Sequence, residues 1–295
     1  MDRCSKEVCQ HIDFPGNPDL AGIGVLVSFG FQLALASTFG IFAVYHLIVA
    51  RNSKSDWKDF RGVFHTFFFS SVYFNVALAV AAVVSIALDD KTQYTALVAN
   101  LDLLLSLSST QALWPLYVLY EAGRPQDDIP GSTFRLLLLK TCLGLLGATL
   151  LSTCAATIVV HWGSNFELFC FHDLPARSVV SGLLYAPIGI TALGLGTAAL
   201  RQVYPPKWPL AGIITPEKSD KSMLWRWVHL GMVFLGLATM WVAFGVLWML
   251  RTEMSGLTGE SYQENEWGFG QIVAVVAWLP TAVDIVWEMV KLVRQ

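Results

Sequence analysis

The stretch Trp278 to Lys291, WLPTAVDIVWEMVK, carries two carboxylates, Asp284 and Glu288, inside a long apolar run. Four residues apart, they fall on one face of a helix. An ionised side chain at the centre of a membrane helix costs roughly 2.5–3.5 kcal/mol on insertion scales, so each is a functional candidate. Pro280, one turn before Asp284, frees the carbonyl of Val276 and predicts a kink with locally open backbone. A second acidic set lies upstream: Asp102, Ser106, Ser109, Tyr117 and Glu121 recur at steps of four, three, eight and four, which lines one helical face.

A carboxylic acid kept protonated by low-dielectric surroundings is a general acid, and aromatic faces beside it stabilise a developing cation. Projection by depth puts Tyr45, His46, His65, Tyr117, Glu121, His229, Asp284 and Glu288 in one half of the bundle. Trp278 and Asn75 join His65, Tyr117 and His229 as residues that shape a cavity; a buried amide such as Asn75 also needs a partner on a neighbouring helix. Plainer roles exist for two of the acids, since Glu288 can pair with Lys291 and Glu121 with Arg124. Asp284 and Asp102 have no basic residue at helical pairing distance, which makes them the stronger candidates.

Other chemistries lack their residues. The histidines are scattered and no HExxH or CxxC occurs, so no metal site is expected; Walker and GxSxG patterns are absent too. Neither a metal nor an organic cofactor is expected. The third span ends Leu119-Tyr120-Glu121-Ala122-Gly123, without an Asp/Glu-Arg-Tyr signature, and the seventh has no Asn-Pro-x-x-Tyr; Lys291 is too near the span's edge to carry retinal.

Such residues need a membrane bundle to position them. The chain is 55% hydrophobic and only 14% charged, with a mean hydropathy of +0.55, unlike a soluble domain. Seven apolar runs are each long enough to cross about 30 Å of hydrocarbon as a helix. They are Ala21 to Ala50, Val63 to Leu88, Tyr94 to Tyr120, Leu136 to Val160, Ser178 to Leu200, Trp225 to Leu250 and Phe269 to Val290. The expected fold is an all-α, seven-helix transmembrane domain over residues 21–295 after a tail of residues 1–20. Fourteen of the 19 lysines and arginines fall on one side of these runs, which predicts a lumenal amino terminus and a cytoplasmic carboxyl terminus. A net charge of -3 without a basic patch argues against nucleic acid as a partner.

No removable signal peptide is expected. Cys4, Cys9 and Cys170 fall on the lumenal side, where two of them can form a disulfide; Cys142 and Cys154 lie within the fourth span. Asp19 is placed to cap the first helix, the second span opens with His65 and Thr66 before the aromatic run Phe67, Phe68, Phe69, Tyr73 and Phe74, and Glu253 to Glu266 reads as an acidic loop.

The stretches Pro15-Gly16-Asn17-Pro18-Asp19-Leu20-Ala21-Gly22-Ile23-Gly24-Val25 and Trp267-Gly268-Phe269-Gly270-Gln271-Ile272-Val273-Ala274 resemble a fungal family of seven-span integral membrane proteins. One branch of it is the membrane-bound terpene cyclase of the ascofuranone pathway. The resemblance implies an endoplasmic reticulum enzyme of meroterpenoid biosynthesis, with the lipid bilayer around it and a hydrophobic prenylated phenol as substrate. An acid would protonate the epoxide of a farnesyl chain, and a substrate hydroxyl would close an ether ring. The better-known fungal meroterpenoid cyclases are similar in pairing an early-span acid with a late one, whereas the second span here offers His65 and Asn75 and no carboxylate. Asp284 is then the first choice for the acid, with Glu121, Glu288 and Asp102 assisting or replacing it. The competing expectation is a sensor, receptor or proton-coupled transporter whose buried carboxylates carry protons or cations.

Overall fold

The computed structural model describes residues 18–48, 57–88, 93–121, 144, 147, 222–258 and 269–294. The cysteines, most of the expected fourth and fifth spans, the tail and the connecting loops lie outside the described residues, as do the side chains of Asp19, His46, Glu121 and Glu288. The described elements are α1 (Pro18–Ala21), α2 (Ile23–Ile48), α3 (Trp57–Leu88), α4 (Gln93–Glu121), α5 (Ser222–Thr258), α6 (Phe269–Val276) and α7 (Leu279–Arg294). All are helical, as a chain that must satisfy its backbone without water requires.

Among the described residues three helical segments are long and apolar enough to cross a membrane: Ile23–Tyr45, Gly62–Ser85 and His229–Gly256. They are the helices of a multi-pass membrane protein. α4 has 29 residues and is the most polar of the four long helices. It packs against α2, α3 and α5, which buries its polar stripe inside the bundle. α6 packs on α2 and α7 on α3. Phe29, Phe64, Phe67, Phe68, Leu104, Leu113 and Met240 form the core, while Ile41, Val80, Val84, Trp241, Trp248 and Val283 face away from it. Large apolar side chains in that number on an outer surface suit hydrocarbon and not water.

Three boundaries differ from the sequence expectation. Asp19 does not fall at the start of the first long helix, because Pro18–Ala21 forms a separate turn and the chain bends at Gly22. The Gly22 carbonyl then accepts the first bonds of α2, from Val25 N at 3.0 Å and Leu26 N at 3.1 Å. α3 begins at Trp57, so His65 and Thr66 lie two turns inside the helix and not at its start. α5 continues to Thr258 and takes Glu253 out of the expected loop. At 37 residues it is about 55 Å long, well beyond the hydrocarbon thickness.

Two glycines set close approaches. A Cβ built on Gly236 of α5 would stand 2.8 Å from Ala112 N and 2.9 Å from Ser108 O of α4, where backbone atoms cannot give way. On Gly24 it would stand 2.5 Å from the Cβ of Gln271. Small residues let membrane helices meet at such distances. Gly236→Ala should therefore destabilise the bundle by about 1–3 kcal/mol. Gly245→Ala, which has nothing within 4 Å among the described residues, should be neutral or slightly stabilising. Thermal midpoints of the two purified variants, followed by tryptophan fluorescence in detergent, check the ranking; equal midpoints would rule out the α4–α5 approach.

Candidate active site

Asp284 sits on α7 against α3. Its Oδ2 accepts a hydrogen bond from the Thr66 hydroxyl at 2.6 Å, and one turn away the Thr281 hydroxyl donates to Ser70 Oγ at 3.3 Å. The spacing explains the pairing. Thr66 and Ser70 are four apart on α3, Thr281 and Asp284 three apart on α7, so each pair presents one face to the other helix. Asp284 is half-buried, held on one oxygen by a neutral hydroxyl.

The expected interruption before Asp284 is present. α6 stops at Val276, Ala277 and Trp278 form a turn, and α7 starts at Leu279. Ala277 N still bonds Val273 O at 3.0 Å, but Trp278 N reaches only back to Val275 O at 3.1 Å, a tighter turn that ends the helix. Pro280 falls in the first turn of α7, where its missing N–H is of no consequence. Pro115, by contrast, sits within an unbroken α4.

The break turns Trp278 inward. Its ring packs against Phe31 of α2 at 5.7 Å and against Phe67 and Phe74 of α3 at 5.9 and 5.6 Å. The residue is 4% exposed, and its indole N–H has no acceptor among the described residues. Indole nitrogen is a donor only, so this buried aromatic cluster contains one unmet demand for an oxygen.

A second aromatic group lines the α3–α4 seam. Tyr117 stacks on Phe68 at 4.6 Å and on Trp114 at 6.1 Å, and His65 lies 6.0 Å from Tyr117 and 4.7 Å from Phe69. Neighbouring residues on a helix point about 100° apart, so His65 serves this seam while Thr66 serves Asp284. The Gly236 contact with Ser108 and Ala112 sets the α4–α5 register and brings His229, which is buried, to the level of Tyr117. His65, Tyr117, His229 and Asp284 therefore share one slab of the bundle on different faces. Glu121 ends α4 and Glu288 lies one turn beyond Asp284.

Asp102 belongs elsewhere. The Asn75 amide nitrogen donates to Ser106 O at 3.3 Å and to Ser109 Oγ at 3.2 Å; the Gln32 amide nitrogen donates to Ser109 Oγ at 2.6 Å and to Asn75 Oδ1 at 3.3 Å. This register sets Asp102, 1% exposed, about 20 Å along the bundle axis from the level of Asp284. The expected stripe of Asp102, Ser106 and Ser109 does face the interior, and Asn75 does bond across helices.

Three polar residues escaped the sequence reading: Gln32, Gln271 and the role of Thr66. Gln271 Oε1 accepts from Gly24 N at 3.0 Å and pins α6 to α2. Glutamines inside apolar runs are the signal that could have found Gln32 and Gln271. Removing the amide in Asn75→Leu should cost roughly 1–3 kcal/mol, since it takes one acceptor from Gln32 and one donor each from Ser109 Oγ and the Ser106 carbonyl. In the Gln32→Leu/Asn75→Leu pair the losses should be less than additive. Reversible unfolding in mixed micelles measures both, and strict additivity would separate the two amides.

Comparison with known proteins returns no match of this chain to a family model, to a curated protein or to a solved structure.

Proposed function

We propose that this protein is a membrane-bound terpene cyclase of the endoplasmic reticulum, a seven-span bundle with a lumenal amino terminus. It would isomerise an epoxidised farnesyl-phenol to a cyclic ether. The observation that carries the reading is Trp278: a buried indole N–H without an acceptor, walled by Phe31, Phe67 and Phe74, in the helix break that precedes Asp284. An apolar chain with one oxygen fits such a place, and the aromatic faces favour a carbocation along it.

In this reading Asp284 gives its proton to the epoxide oxygen, and the C–O bond breaks to leave a hydroxyl and a carbocation. The substrate's phenol oxygen attacks the cation and releases its proton, which restores the acid. Substrate and product have the same mass, and no oxidant or reductant is needed. Thr66 holds the carboxyl in one orientation, Trp278 anchors a substrate oxygen, and His65, Tyr117 and His229 line the same slab. Glu121 and Glu288, near the end of that slab, assist the acid.

Incubating microsomes that contain the protein with an epoxy-farnesyl phenol, beside an empty-vector control, tests the activity directly. A product of unchanged mass and shifted retention is expected. Asp284→Asn should lower turnover by about 10²-fold or more, Thr66→Val should lower kcat with little change in KM, and Trp278→Phe should chiefly raise KM. Full turnover by a well-expressed Asp284→Asn variant would remove the assignment. No conversion of several epoxides by folded, inserted protein would favour the sensor or transporter reading.

A further inference from the structure

The outer face of α5 repeats. Its exposed residues follow at steps of four and three, as on the outward side of any bundle helix, but here the residue types recur as well. Gly231, Ala238 and Gly245 stand seven apart; Phe234, Trp241 and Trp248 follow them by three, and Leu235, Val242 and Met249 by four. Every one of these is exposed. The outer faces of α2, with Val27, Ala34, Thr38 and Ile41, and of α3, with Tyr73, Ala77, Val80 and Val84, show no such repeat.

Contact with fluid acyl chains calls for no order of residue types. A seven-residue repeat of small and large side chains suits a second helix: the small residues let the backbones approach, and the large ones close over the gap. A Cβ added to Gly231 or Gly245 would meet nothing within 4 Å among the described residues, so these notches are open. Trp241 gives an independent sign. It lies near the middle of the span His229–Gly256, away from the interfaces where membrane tryptophans gather, and its indole N–H is donated to Ser37 Oγ of α2 at 3.3 Å. The ring is held from within its own chain while the residue stays 55% exposed.

The face carries notches and ridges in equal number, so it is complementary to itself. Copies inserted in one orientation pair about a two-fold axis along the membrane normal, which sets the two α5 helices parallel with like levels opposed. A period of seven gives them a left-handed crossing. The exposed parts of the aromatic and aliphatic side chains amount to roughly 600–800 Å² per copy, the share that each partner buries in a stable interface. We propose that two copies of this chain dimerise through the face of α5 at residues 231–249. The pairing is independent of the reaction the protein performs.

The test uses the full-length protein, labelled at its amino terminus with donor or acceptor and mixed in phosphatidylcholine vesicles, with energy transfer followed as lipid is added. Transfer that falls on dilution and fits one donor with one acceptor is expected. Gly245→Ile and Ala238→Ile, which fill notches, should each raise the dissociation mole fraction about tenfold or more. Val80→Ile, on the outer face of α3, should leave it unchanged. Thermal midpoints show which variants fold, and either notch variant alone decides. Transfer no greater than that of randomly placed proteins at every dilution, or wild-type dissociation in a folded notch variant, would overturn the dimer. So would a monomeric wild type whose midpoint drops in Gly245→Ile, because the chain's own fifth span, where Gly182, Gly189 and Gly196 also recur at seven, would then fill the face.

Discussion

The hydrogen-bonded group Gln32, Asn75 and Ser109 is the constraint on which the described bundle depends. Apolar helices in hydrocarbon gain little from burying one another, because lipid tails are as apolar as leucine. Shape and a few polar contacts must then specify which faces meet. Here one amide on α2 and one on α3 converge on a single hydroxyl of α4, so a rotation or slip of any of the three strands a polar group in the membrane interior. The remaining geometry follows from that register. It sets the level of Asp102, aligns His65 with Tyr117, and leaves α4 in position to receive α5 across Gly236.

The helix break at Trp278 solves a second problem. A straight helix over residues 269–294 would present one continuous face to one partner. With the interruption, α6 packs on α2 through Gln271 and Gly24, and α7 packs on α3 through Thr281 and Asp284. The residue at the bend, Trp278, reaches aromatic rings of both partners, Phe31 on α2 and Phe67 and Phe74 on α3. The same bend that switches partners places the indole N–H of Trp278 in the interior.

Much of this was legible in the sequence, for identifiable reasons. Long apolar runs in a charge-poor chain leave few alternatives to helices, and the recurrence of Asp102, Ser106 and Ser109 could face only the interior. Pro280 pointed to the break. The misreadings came from local rules met by larger forces. Asp19 precedes an apolar run as a cap should, yet Leu20 and Ala21 are themselves buried and form their own turn against the bundle. Glu253 reads as loop because it is acidic, although α5 extends past it. Gln32 stands out as a glutamine in an apolar run, but neither it nor Thr66 gives any sign in the sequence of which helix it will meet.

The distance between the two acids matters more than their number. Depth along each helix could be read from the sequence, but the rotation of each helix could not, and it is rotation that separates the groups. His65 and Thr66 are adjacent in the chain and serve different seams; Asp284 meets the first turns of α3 beyond Gly62 while Asp102 lies towards its far end. Two carboxyl groups about 20 Å apart cannot act on one small molecule as a paired acid and base. Each must then be explained by what surrounds it. Asp284 is half-buried, accepts from the Thr66 hydroxyl and lies beyond the helix break whose Trp278 packs among Phe31, Phe67 and Phe74. Asp102 is buried on the face of α4 that carries Ser106 and Ser109, remote from the Thr66 hydroxyl that Asp284 meets.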